Sequence, residues 1–315
     1  MCFVESATFE KLQLYGTYNK NGKKDIMRHY IKVVFFLIIT SSPLCYAQNE
    51  DIDYGSNEAA GSYAQVNGIN LYYEEYGHGK PLLLIHGNGS SISGMKAQIQ
   101  HFSHNNRVIA VDSRGHGKSG LGAPQLSYRQ IADDMIQLMS AMSIEEVSII
   151  GWSDGGIVGL LMGIKAPNII RKMALMAPNT RPASQSFYPE FVEILENQLE
   201  IVQGMIQKNN QLQDWLLARQ HLLMMLNQPN ISSEELKTIT APVLIIAGDK
   251  DGVTNKHIVE IFEGLQHGHL AIMPGETHFM PMSNPDLFNS LTSDFLLSEF
   301  KRPDSISIIK EHLGI

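Results

Sequence analysis

Residues 147–156 read VSIIGWSDGG, and the fold follows from them. Val147, Ile149 and Ile150 form a short apolar run of the kind that makes a buried strand. Gly151-Trp152-Ser153-Asp154-Gly155 then spells G-x-S-x-G, and residues 157–164 (IVGLLMGI) continue as an apolar helix. A strand, a sharp turn and a helix are the setting in which this pattern lifts a serine clear of the backbone to attack a carbonyl. Small residues two before and two after the serine let strand and helix pass close together. The start of the helix leaves N–H groups without intrahelical acceptors, and these suit a developing oxyanion. The pattern alone arises by chance about once in ten chains of this length, so the rest of the chain has to support it.

The flanks of the chain set the class. Composition is 43% hydrophobic and 18% charged, with a net charge of -8. Residues 27–32 are basic, 33–40 (VVFFLIIT) apolar and 41–47 (SSPLCYA) small and polar. This is the order of a secretory signal, with cleavage expected after Ala47, and it makes the mature protein secreted or periplasmic. The apolar run is short for a bilayer span, so no stable membrane insertion is expected after cleavage. The alternative is an anchor formed by the uncleaved segment. Residues 1–26 precede the signal, and Met27 is the expected start. Both cysteines, Cys2 and Cys45, lie in this leader, which leaves the mature chain without a disulfide, a thiolate metal site or a cysteine nucleophile. The leader also carries six bases and three acids, so the remainder is more acidic than the whole. An acidic chain with no basic run is a poor partner for nucleic acid or an anionic membrane.

Beyond residue 47 the chain is long enough for one large α/β domain with an inserted piece. Residues 48–62 read as a flexible lead-in. Asn67-Gly68 between two alternating runs signals a hairpin. Residues 81–85 (PLLLI) are a strand buried on both faces, ending at His86-Gly87-Asn88-Gly89. A helix is expected over 91–102, a strand over 108–111, and a Ser127-capped helix to about Met142. The elbow unit follows, then a strand over 172–176. Strands alternating with helices imply a mostly parallel, doubly wound sheet. Alternation stops over 181–240, where two amphipathic helical patterns form an insertion. It resumes with strands over 243–246 and 270–273 and a closing helix over 285–300, followed by a tail over 301–315.

In such a sheet, ligands sit beyond the carboxyl ends of the strands. The residues found there are His86 to Gly89, Asp112, Ser153, Asp154, Asp249, Asp251 and His278. A serine nucleophile needs a base within reach, and the base needs an acid to hold its tautomer. One serine, two candidate acids and one histidine after the last strand occur in the order Ser…Asp…His.

With H-G-x-G at 86–89, G-x-S-x-G-G at 151–156, G-x-x-D at 248–251 and G-x-x-H at 275–278, residues 63–300 resemble the α/β-hydrolase superfamily. GWSDGG together with VNGINLYY is most similar to the valacyclovir-hydrolase (biphenyl hydrolase-like) branch. The resemblance implies a core of residues 63–180 and 241–300, with 181–240 as a helical cap over the site. It implies Ser153 as nucleophile, His278 as base and Asp251, in preference to Asp249, as acid. It also implies an oxyanion hole made by the backbone N–H groups of Asn88 and Asp154. Dehalogenase and epoxide-hydrolase branches use aspartate at the elbow, and Ser153 argues against both.

The expected function is hydrolysis of carboxylic esters through an acyl-enzyme, on a small-molecule substrate and with no metal or organic cofactor. A lactonase, a C–C bond hydrolase or a perhydrolase would use the same residues, and a slow-turnover ligand receptor is the reading from another class. Asp154 is an acid beside the nucleophile. It suits the helix dipole, or it recognises an amine near the scissile carbonyl. Trp152 is expected to pack beside the elbow, with substrate stacking as the alternative. Met224, in the run LLMML at 222–226, is cap packing or part of an adaptable acyl pocket. His86 is expected to brace the oxyanion loop, and His116 to sit in a turn.

Overall fold

The computed structural model describes residues 52–122 and 125–314. The signal segment, the Met27 start and both cysteines lie outside these residues. The sheet has eight strands: β1 (Gly61–Val66), β2 (Ile69–Tyr76), β3 (Lys80–Ile85), β4 (Asn106–Val111), β5 (Val147–Trp152), β6 (Ile170–Met176), β7 (Val243–Gly248) and β8 (Gly268–Met273), in the order β1-β2-β4-β3-β5-β6-β7-β8. The β1–β2 and β2–β4 pairs are antiparallel, and every pair from β4–β3 to β7–β8 is parallel. The apolar runs Leu82 to Ile85 and Val147 to Trp152 make β3 and β5 central, since only strands covered on both faces can bury every side chain.

The core helices before the insertion are α1 (Lys96–Phe102), α2 (Tyr128–Ala141) and α3 (Asp154–Lys165). Ser127 caps α2 by accepting from the Gln130 N–H, and Ile131, Met135 and Leu138 face inward. In α3 every residue from Asp154 to Gly163 is buried, as expected of a helix apolar all round. Between β6 and β7 stand α4 (Ala183–Ser186), α5 (Pro189–Gln207), α6 (Trp215–Asn227) and α7 (Ser233–Leu236). Leu195 and Val202 of α5 meet Ala183 and Leu222 in a small separate core. This cap is tied to the main body where the Tyr188 N–H donates to Gly252 O and Phe187 bridges Val253. The last helices are α8 (Asn255–Gly264), α9 (Met280–Ser283), α10 (Pro285–Leu297) and α11 (Ser305–Leu313). No helix of the described residues is long and apolar enough to cross a membrane.

The chain crosses from β4, on one side of β3, to β5 on the other. The carboxyl ends of β3 and β5 therefore flank the point where the strand order reverses, which is where a crevice opens in an open α/β sheet.

Three expectations need correction. The segment before β1 is not a free lead-in from residue 52 onward. The buried Glu74 carboxylate accepts from the N–H groups of Gly55 and Asn57 and from the hydroxyls of Tyr72 and Tyr76. Polar composition alone reads as solvated loop, whereas these bonds reach seventeen and nineteen residues along the chain. The helix expected over 91–102 begins as a 3-10 turn, Ile92–Met95, whose first N–H, that of Ile92, donates to Asp112 Oδ1 at 2.8 Å. The tail contains α11, a helix capped by Asp304 with no buried residue.

Candidate active site

The elbow is built by close approaches that side chains would block. Ser153 holds φ 56° and ψ −115°, a conformation an L-residue adopts only when its surroundings impose it. A Cβ on Gly151 would lie 2.3 Å from Gly155 O, and one on Gly155 would lie 2.0 Å from Ile85 O. Both glycines are thus required for strand β5, helix α3 and strand β3 to meet. The Ser153 N–H is taken by Met176 O at 2.8 Å, which fixes the turn to β6. The hydroxyl is left at the carboxyl end of the sheet.

His278 follows β8 in the loop 274–279 and comes to the same point from the opposite side. Its Nε2 is 2.9 Å from Ser153 Oγ, and its Nδ1 is 2.8 Å from Asp251 Oδ1. Asp251 is 5% exposed, and the same oxygen accepts from the Val253 N–H at 3.0 Å. With its Nδ1 proton directed at a carboxylate, His278 turns a basic Nε2 toward the serine. The two candidate acids part company here. Asp249 Oδ1 accepts from the Gly275 N–H at 3.0 Å and so shapes the turn after β8, away from the imidazole. The turn also needs Gly248, since a Cβ there would lie 2.2 Å from Glu276 O.

The loop after β3 lies against the elbow. A Cβ on Gly87 would stand 3.2 Å from Ser153 Cβ. The backbone N–H groups of Asn88 and Asp154 have no acceptor among the described residues, so both are available to an incoming oxyanion. The Asp154 side chain is buried, with Oδ2 accepting from Asn88 Nδ2 and Oδ1 from the Tyr128 hydroxyl, both at 2.8 Å. Burial pushes its carboxyl up to about 6, against the two hydrogen bonds, which pull it down. The same surroundings push the Tyr128 hydroxyl well above its usual value. His86 is committed on both nitrogens: Nδ1 donates to Gly87 O at 2.7 Å and Nε2 accepts from the Ser113 N–H at 3.0 Å. Burial lowers it to about 4, so it is a neutral brace. Asp112 is likewise occupied, by the N–H groups of Ile92 and Lys118.

Trp152 is buried, and its indole N–H donates to the His278 carbonyl at 2.8 Å. Met224 is 1% exposed and belongs to the main core, not to the small cap core. Sequence reasoning missed His221 on α6, which stacks on His116 beneath the cap. Neither histidine sits in a motif, and nothing in their spacing, more than a hundred residues apart, brings them together. Among the described residues no group of three or more His, Cys, Asp or Glu side chains is arranged to hold a metal ion.

Comparison with known proteins agrees with this architecture. A model of an alpha/beta hydrolase family matches residues 82–291. The chain is 28% identical over 270 residues to the serine hydrolase BPHL of Mus musculus, an alignment covering 81% of this chain and 92% of that protein. It is 22% identical over 257 residues to the (E)-2-((N-methylformamido)methylene)succinate hydrolase of Acinetobacter baylyi, covering 73% and 95%. Among solved structures, the enol-lactonase from Burkholderia xenovorans LB400 superimposes with a TM-score of 0.61 at 21% identity, covering 75% of this chain and all of that one. A thermophilic esterase from Thermogutta terrifontis gives 0.62 at 21% identity, covering 75% and 97%. With its elbow, its sheet order and a family match over most of the chain, this protein belongs to the alpha/beta hydrolase family of enzymes.

Proposed function

We propose that the protein is a serine hydrolase that cleaves carboxylic esters through an acyl-enzyme. The observation that carries this reading is the continuous chain of contacts from Ser153 Oγ through His278 to Asp251. In the first half-reaction His278 Nε2 takes the Ser153 proton as Oγ attacks the ester carbonyl. The carbonyl electron pair moves to oxygen, where the N–H groups of Asn88 and Asp154 receive it. The intermediate collapses, the ester C–O bond breaks, and His278 returns the proton to the leaving alcohol. Water repeats the sequence on the acyl-serine and releases the acid. Asp251, at His278 Nδ1, holds the ring and stabilises the imidazolium.

The test is a fluorophosphonate label combined with burst kinetics on activated aryl esters of increasing acyl length. Stoichiometric labelling at Ser153 and a burst followed by steady turnover are expected. Labelling without turnover would point to the receptor reading instead. A lactonase, C–C bond hydrolase or perhydrolase would use the same three residues, and substrate panels separate these from an esterase.

One observation favours a narrower substrate class. The Asp154 carboxylate is buried next to the nucleophile and, among the described residues, has hydrogen-bond donors but no cationic side chain as partner. A protonated amine near the scissile carbonyl would supply the missing positive charge, as in an amino-acid ester. We also propose that residues 27–47 direct export to the periplasm or beyond.

A further inference from the structure

We infer that Trp152, the residue before the nucleophile, is a positioning residue for the base: its indole N–H holds the His278 carbonyl and so sets the direction of the imidazole. The inference rests on the proposal above that His278 is the base.

The base is carried by a loop, and a loop needs fixing from both sides of the catalytic residue. Upstream, the strand β7 side does this: the Lys250 N–H donates to Glu276 O at 3.1 Å, and Asp249 accepts from the Gly275 N–H. Downstream, α9 begins at Met280, whose N–H donates to Thr277 O, while the Met282 N–H donates to Phe279 O. The carbonyl of His278 itself lies between these two anchors. No backbone N–H among the described residues bonds it, and its donor is Trp152 Nε1, 126 residues away at 2.8 Å. That bond fixes the peptide plane from which the His278 side chain projects.

A donor can position something else only if it is itself held. The indole is 5% exposed. On one side it lies along two glycines, where a Cβ would stand 3.7 Å from Cδ2 (Gly87) and 4.0 Å from Cζ3 (Gly94). On the other side the Phe279 ring meets it edge to face with centroids 6.1 Å apart, and the His278 ring centroid is 6.3 Å away. The backbone of Trp152 is the last residue of β5, directly before Ser153. One residue therefore carries the nucleophile at its peptide bond and the base at its side chain, which ties together two groups 125 positions apart in the chain.

The experiment replaces Trp152 with benzothienylalanine, which keeps the ring shape and exchanges the N–H for sulfur, alongside Trp152→Phe. Both are compared with the wild-type enzyme and with Ser153→Ala on one activated aryl ester. The expected result is a fall in kcat of about 10- to 100-fold, the effect of a small misplacement of a reacting group, with KM changed less than about two-fold. The low-field proton resonance of the His278–Asp251 bond should broaden, while the thermal midpoint of the isostere stays near wild type. Wild-type kcat and an unchanged resonance in the isostere would overturn the inference while leaving the triad intact. Full activity in Ser153→Ala would instead remove the hydrolase mechanism, and the role of Trp152 with it.

Discussion

His116, in the loop between β4 and α2, and His221, on the cap helix α6, stack ring on ring with centroids 4.2 Å apart and planes 12° from parallel. His86 meets the other side of His116 edge on at 5.1 Å, so three imidazoles connect the cap to the oxyanion loop. The Nε2 atoms of His116 and His221 are buried without a hydrogen-bond partner among the described residues, so nothing in the packing stabilises a proton there.

This stack predicts an acid-labile cap. Burial lowers His116 and His221 to about 3 each, and a neighbouring imidazole adds to this, His86 for His116 and His116 for His221; burial lowers His86 to about 4. Asp214, whose charge favours protonated His221, does not reverse the direction. The unfolded chain therefore binds more protons than the folded one below about pH 6.5, and stability falls as pH drops from there toward 3. His221→Phe keeps a ring on His116 and removes one titrating site. Thermal or urea unfolding between pH 6.5 and 4 should show a slope shallower by about 1.4 kcal/mol per pH unit. An unchanged slope would mean that these rings do not govern acid stability.

Ser153→Ala should abolish fluorophosphonate labelling and lower ester turnover by about 10⁴-fold or more, with the fold intact. The hydroxyl bonds only His278 among the described residues, so circular dichroism and the thermal midpoint are the controls. Retention of most activity would remove Ser153 as nucleophile.

Asp251→Asn and Asp249→Asn separate the two carboxylates of the β7 turn. Only Asp251 contacts His278, so its replacement should cost about 10⁴-fold in kcat by freeing the wrong imidazole tautomer. Asp249→Asn keeps an oxygen that can accept the exposed Gly275 N–H bond and should keep kcat within about ten-fold. Comparable losses in the two variants would contradict the assignment of the acid.

Asp154 can be read through a ratio of two substrates. If the carboxylate pairs with a substrate amine, kcat/KM for an amino-acyl ester should exceed that for the des-amino ester. Asp154→Asn should then remove about 2–5 kcal/mol of that difference. The ratio should also fall as pH drops through about 6, where Asp154 takes up a proton. Equal losses on both esters would restrict Asp154 to bracing Asn88 and Tyr128.

Removing the carboxylate of Glu74 should loosen the segment before β1 without touching the chemistry. Glu74→Ala leaves two N–H groups and two tyrosine hydroxyls without their acceptor, at a cost of about 1–3 kcal/mol or more. Limited proteolysis should then cut within residues 52–60 while kcat is retained. Resistance equal to wild type would show that other contacts hold this segment.

What the sequence determined by itself is what depends on local chemistry. The apolar runs of β3 and β5 could only be buried strands. The hairpin at Asn67-Gly68 has φ 42° and 82°, as its residues demanded. The glycines around Ser153 announced a close approach. Ser127 marked the start of α2. Motif order pointed to Ser153, to His278 and to an acid after β7, because a strand end in a parallel sheet is a place as well as a position in the chain. What only the tertiary structure decided is what joins residues with no sequence relation. Sequence left Asp249 and Asp251 both open at the residue level, since two acids two apart differ only in which way the β7 turn aims them. Polar composition hid the anchoring of residues 52–60, because a buried carboxylate at Glu74 supplies their acceptors from another strand. Trp152 was visible as packing, yet its bond to the His278 carbonyl depends on where β8 ends relative to β5. His116 and His221 carried no motif at all. Their stack exists because the cap folds back over the β4 loop, and long-range packing of that kind leaves no period in the sequence.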